Sequence, residues 1–137
     1  MTAEDHRRRR ISSFMTLARE ELNAAAVLPK ENERQAAYFQ QQAVEKMLRA
    51  VLEAEDVSVG PTHNIGDLAG RLPAGHTLRG EFCRFDGLSV AATRYRYPGG
   101  SGRLASPMAG EVARVQADIL ALARKVDVFL KAKGYDS

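Results

Sequence analysis

From residue 94 the chain reads Arg94-Tyr95-Arg96-Tyr97, then Pro98 and Gly99-Gly100-Ser101-Gly102. Guanidinium groups can grip phosphate oxygens bidentately, and a tyrosine ring offers a face on which a base can stack. The glycines that follow let backbone amides approach a ligand closely. The loop is not a P-loop, because no Gly-Lys-Ser/Thr follows. A second reading packs both tyrosines beneath the loop and sends both arginines into solvent; spacing leaves the two readings open. His63 is the other polar residue that could do chemistry, since imidazole titrates near neutrality and could bond a nucleotide or carry a proton. It could equally anchor the turn ahead of a helix, and that structural role is preferred.

Other chemistries lack a constellation. One cysteine and three histidines, scattered along the chain, make no metal-ligand set. Asp67, Glu81 and Asp86 form no persuasive carboxylate pair, and Cys83 sits at helical core spacing as an inert packing residue. His6 followed by Arg7-Arg8-Arg9-Arg10 is the densest charge run and could attract phosphates. Cations at a helix N-terminus oppose the macrodipole, so a solvated first turn is the preferred reading.

The elements that must position these residues are helical. Ala36 to Glu55 carries Ala36, Phe39, Ala43, Met47, Ala50 and Ala54 at spacings of three and four, widened by Val44, Leu48 and Val51. A stripe that broad needs several neighbours, which places this helix at the centre of a bundle. Ile11, Phe14, Met15, Ala18, Leu22 and Ala25 predict a first helix ending near Val27, ahead of Pro29. Thr62 or Asn64 can cap a short third helix through Ile65, Leu68 and Leu72. A fourth is predicted from Thr77 towards Tyr97 on Leu78, Phe82, Phe85, Ser89 and Ala92. Ser106 and Pro107 predict the start of a last helix, with Met108, Val112, Val115, Ile119, Leu122, Val126 and Phe129 inward and Gly134 as its stop.

Composition sets the bounds. A chain of 137 residues, 45% hydrophobic and 27% charged, is one globular domain over 1–137, with 1–7 and the 98–106 loop expected to be flexible. A net charge of +3 permits an anionic partner without demanding one. The lone cysteine suits a reducing cytoplasm, and no apolar run approaches the roughly 20 residues of a membrane span.

Three pieces carry a family resemblance. Phe39-Gln40-Gln41-Gln42-Ala43-Val44-Glu45-Lys46, continuing into Leu48-Arg49-Ala50-Val51-Leu52, resembles the long helix of the HEPN family. These are small all-helical domains of bacteria and archaea, often encoded beside a minimal nucleotidyltransferase. Thr62-His63-Asn64 with Leu68 is similar to the family's Thr-His-Asp/Asn-Leu segment, and Arg96-Tyr97-Pro98 to the Arg-Tyr-Pro after its fourth helix. The pieces occur in the family's order.

The resemblance implies an all-α, up-and-down bundle of about five helices. It also shifts the balance for Arg94, Tyr95, Arg96 and Tyr97 towards a nucleotide or RNA groove, with His63 supporting. Ribonuclease members carry Arg-x4-6-His late in the fourth helix, where the Arg orients a phosphate and the His assists attack by the 2′-hydroxyl without a metal. Here no His follows Arg94 or Arg96. Arg71-x4-His76 matches the spacing alone, in a linker holding Pro73 and Gly75. The expectation is therefore a non-catalytic nucleotide- or RNA-binding module without metal or cofactor. It would be a cytoplasmic homodimer working with a nucleotidyltransferase, in a toxin–antitoxin arrangement. The alternatives are a metal-independent ribonuclease toxin using Arg71 and His76, or His63 with the later arginines, and a dimerisation subunit that binds nothing.

Overall fold

In the computed structural model, residues 1–135 are described, and they form an all-α fold in which no strand occurs. The first helix, α1, spans Ala3–Val27. It starts inside the segment expected to be flexible, because Thr2 and Asp5 form a capping box. Thr2 Oγ1 accepts from the Asp5 amide at 3.1 Å, and Asp5 Oδ2 accepts from the Thr2 amide at 2.9 Å. Those bonds hold the Asp5 carboxyl below its ordinary pKa. Ile11, Met15, Ala18, Leu22 and Ala25 form its buried stripe, and Leu28 turns extended ahead of Pro29.

A 3-10 turn, Lys30–Asn32, reverses the chain into α2, Glu33–Ala54. Helix α1 packs along α2, and α2 also meets the later helices, so it occupies the centre as its broad stripe requires. Three polar side chains, Gln40, Gln41 and Glu45, are buried on it as well. Three arginines of the run fasten the bundle rather than standing free in solvent. Arg7 meets Asp56 at 2.8 Å, Arg10 pairs with Glu53, and Arg8 donates to the Gly134 carbonyl at 2.7 Å while lying over the Tyr135 ring.

Helix α3 spans Ile65–Ala69, with the Asn64 side chain accepting from the Asp67 amide at 2.9 Å. The expected long fourth helix is broken. Helix α4 covers only Arg79–Cys83, and a 3-10 segment follows at Asp86–Ala92. Gly80 and Gly87 weaken a helix there. Asp86 Oδ1 accepts from the Gly66 amide at 2.8 Å, and Ser89 Oγ from the Ile65 amide at 3.1 Å. Those side chains hold the first turn of α3 instead of extending a helix of their own. Cys83, read as packing, is exposed.

Helix α5 spans Glu111–Ala132 and packs chiefly on α2. It does not start at Ser106-Pro107. Ser106 Oγ accepts from Arg34 Nη1 at 2.7 Å, and Gly110, with φ +76°, makes the turn into the helix. Met108, expected inward, is 72% exposed. The end is as expected. Gly134, at φ +90°, donates to the Lys131 carbonyl at 3.0 Å, and Tyr135 to that of Leu130 at 2.8 Å, which is a Schellman turn. Among the described residues no helix is long and apolar enough to cross a membrane.

Candidate functional site

The Arg-Tyr-Arg-Tyr segment leaves the 3-10 segment as a tight turn. The Arg94 amide donates to the Val90 carbonyl at 2.7 Å, and the Tyr97 amide to that of Thr93 at 3.1 Å. The glycine loop then closes on itself: Gly102 donates to the Gly99 carbonyl at 2.8 Å, and Gly99 to that of Arg103 at 3.0 Å. Gly102, at φ +81°, is in the left-handed region that favours glycine. Turn and loop enclose a cleft of about 500 Å³ lined by Arg94, Tyr97, Ser101 and Arg103.

No carboxylate lines that cleft. Four other cavities mix their charges: Arg84 with Glu111 and Asp118, Arg10 and Arg49 with Glu53 and Asp56, Arg124 and Lys125 with Glu81, Lys30 with Glu33. Among the described residues neither Arg94 nor Arg103 has an ion-pair partner, and Tyr97 is 60% exposed beside them. Two unneutralised guanidiniums under an open phenol suit an anion attached to a ring.

The other two residues of the segment point elsewhere. Arg96 stacks its guanidinium 4.4 Å from the centre of the Tyr38 ring on α2, with the Tyr97 ring at 5.6 Å. Tyr95 lines a second cavity, between α2, the 3-10 segment and α5, together with Gln40, Phe85 and Glu111. Burial there raises the Tyr95 phenol pKa; the Glu111 charge adds to the rise and Arg94 partly offsets it.

His63 stands on α2's polar face. Its Nδ1 lies 3.0 Å from Glu45 Oε2 and 3.2 Å from Oε1, and its side chain is 70% exposed. A carboxylate only accepts, so the proton sits on Nδ1 and Nε2 faces outward as an acceptor when the ring is neutral. Glu45, buried, also takes Arg49 Nε at 3.2 Å and Gln41 Nε2 at 3.2 Å. Arg49 in turn donates to the Thr62 carbonyl at 2.6 Å. Tyr38 and Glu45 are two helical turns apart on one face, so the Arg96 stack and His63 lie about 10 Å apart along α2.

Arg71 and His76 are not brought together. His76 is tucked against Phe129, ring centres 4.9 Å apart, and its Nδ1 accepts from the Leu78 amide at 3.1 Å. Its Nε2 is buried without a hydrogen-bond partner, with Glu55 Oε2 4.0 Å away. Arg71 is exposed and forms no hydrogen bond or ion pair with that ring among the described residues. No group of three His, Cys, Asp or Glu side chains is placed to hold a metal among the described residues.

Sequence reading missed Arg103, Tyr38, Gln40 and Glu45 as site residues. For Glu45 and Tyr38 a signal existed, since both lie opposite the apolar stripe of α2, on the side that also carries Gln41 and Arg49. In comparisons with known proteins, the family model described as HEPN domain matches residues 11–126. No curated protein and no solved structure matches the chain.

Proposed function

The chain belongs to the HEPN domain family, and on that premise we propose that it is a nucleotide- or RNA-binding module without catalysis of its own. One observation carries the reading: the Arg94–Arg103 cleft is lined by cations and by no carboxylate, with the exposed Tyr97 ring at its edge. Arg94 and Arg103 would hold phosphate, Tyr97 would stack on a base, and the Arg96–Tyr38 pair would extend the surface towards His63. The module would work as a homodimer with a minimal nucleotidyltransferase, in a toxin–antitoxin arrangement; that part rests on the family resemblance alone.

The test is titration of a labelled single-stranded RNA in excess EDTA at several salt concentrations, with Arg94→Ala/Arg103→Ala alongside. Wild type is expected to bind and the double variant to bind at least about tenfold more weakly. The log–log salt slope should shallow by about 0.7 per lost phosphate contact. Equal affinity and slope would remove the cleft from the proposal.

A second reading, a metal-independent ribonuclease, draws on His63, whose exposed ring is oriented by a buried carboxylate. The RNA of the same titration, run on a gel, separates the two. Intact RNA supports the binding module. Cleavage lost in His63→Ala but kept in His76→Ala supports the enzyme.

A further inference from the structure

The cavity beside Tyr95 is unlike the cationic cleft. It holds about 250 Å³, below the roughly 300–1,000 Å³ of pockets that take drug-sized ligands. Its walls are Ala37, Phe85, Leu88, Val112 and Val115, with Tyr95 at one side. That is room for one flat ring system between apolar and aromatic surfaces.

Its polar groups are mostly acceptors. Gln40 is 1% exposed and forms part of the wall. Its Nε2 donates to the Val112 carbonyl at 2.9 Å and to Gln116 Oε1 at 2.9 Å, which fixes the amide's orientation. Among the described residues no donor meets its carbonyl oxygen. That oxygen is not sealed inside the fold, so it is open to a donor, and a ligand N–H can meet it. Glu111 and Asp118 add two further acceptors at the rim, while the cavity's one guanidinium, Arg84, is shared with Glu81 at 3.5 Å.

The cavity is also close to the cationic cleft. Tyr95 and Arg94 are adjacent in sequence but line different cavities, and the Arg94 charge acts on the Tyr95 phenol. A ligand carrying a ring with N–H donors and an anionic group would have partners in both.

We infer that this cavity takes the amino-bearing edge of a nucleobase, adenine or cytosine, from the ligand whose phosphate is held at Arg94, with Gln40 Oε1 as the selecting acceptor. The inference rests on the reading of the cationic cleft. A base that presents a carbonyl in place of the amine would set oxygen against oxygen at Gln40.

The experiment is calorimetric titration with two matched pairs, AMP against IMP and CMP against UMP. Three proteins are compared: wild type, Gly87→Leu and Arg94→Ala. Gly87 lines the cavity, and a Cβ built there meets nothing within 4 Å, so a leucine starts in open space at the cavity's edge and can narrow its mouth. In wild type AMP is expected to bind at least about tenfold more tightly than IMP, and CMP than UMP. In Gly87→Leu the members of each pair should become equal, while Arg94→Ala should weaken all four.

Equal binding within each pair in wild type, with Arg94→Ala still weakening all four, would overturn the amine pocket and leave the cationic cleft standing. A preference that survives Gly87→Leu would place the selecting group elsewhere and overturn the assignment too. No binding by any of the four would overturn the pocket, while the RNA titration with Arg94→Ala/Arg103→Ala decides the cationic cleft independently.

Discussion

Replacing Glu45 by alanine tests whether His63 is an anchor or a spare group. Glu45 is 5% exposed and accepts from His63, Arg49 and Gln41. Hydrogen bonds to a charged group contribute about 1.5–3 kcal/mol, and removing one member of a buried pair costs about 3–5 kcal/mol. Arg49 keeps the Thr62 carbonyl and some access to water, so the low end applies. The expected loss is about 3 kcal/mol, which for a domain of this size lowers the midpoint by about 10 °C. His63→Ala removes one partner whose side chain is 70% exposed, so about 0.5–1 kcal/mol is expected. Glu45→Gln, which keeps shape and one acceptor, should fall between them. Urea unfolding followed by circular dichroism gives all three values, provided the m-value is unchanged. If His63→Ala costs as much as Glu45→Ala, the imidazole is the anchor and its exposure carries no functional meaning. If Glu45→Ala costs under about 1 kcal/mol, this cluster is not what holds the Thr62–Asn64 turn against α2.

Three further outcomes are expected. A Cβ at Gly66 would lie 2.7 Å from Asp86 Oδ1, so Gly66→Ala should break the bond from Asp86 to the α3 amide and destabilise by about 1–2 kcal/mol, read by the same unfolding assay. The Tyr95 phenol has its folded pKa raised above the unfolded value of 10.0, so its contribution is complete below pH 10 and is lost as pH rises through the folded pKa. Stability of wild type should therefore fall above pH 10 by more than that of Tyr95→Phe, with the phenolate absorbance of wild type rising late. Cys83 is exposed in the fold, so a thiol reagent should label it in native buffer about as fast as in urea; strong native protection would contradict that exposure.

The helices legible in the sequence are those whose stability is periodic and local. Helix α1 has its stripe and Pro29, and α2 has a stripe broad enough to announce its central place. The end of α5 was legible because a Schellman turn needs a left-handed residue, and Gly134 supplies it. Its start was not. Ser106-Pro107 has the chemistry of a cap, but the Ser106 hydroxyl is occupied by Arg34, a residue 72 positions away. The fourth helix failed for the same kind of reason. Leu78, Phe82, Phe85 and Ser89 keep helical spacing, yet Asp86 and Ser89 are drawn off to the amides of α3, and no pattern within residues 77–97 encodes that demand.

The candidate site was legible in composition and not in direction. Arg94, Tyr95, Arg96 and Tyr97 have side chains with recognition chemistry, but a string of four gives no sign of which way a turn will aim each one. The turn sends Arg94 and Tyr97 to the loop, Arg96 to Tyr38 and Tyr95 towards α5. Arg103 joins Arg94 only because the glycine loop closes through the Gly99 amide and the Arg103 carbonyl. The charge balance of a cavity emerges at this level, after folding, since it depends on which carboxylates the fold keeps away. Seventeen acidic residues against twenty basic ones give a mild net charge of +3, and that total conceals a cleft with two arginines and no acid. Local neutralisation is therefore the better guide to an anion site than net charge, because a phosphate responds to charges within a few ångströms and is screened from those beyond about 10 Å.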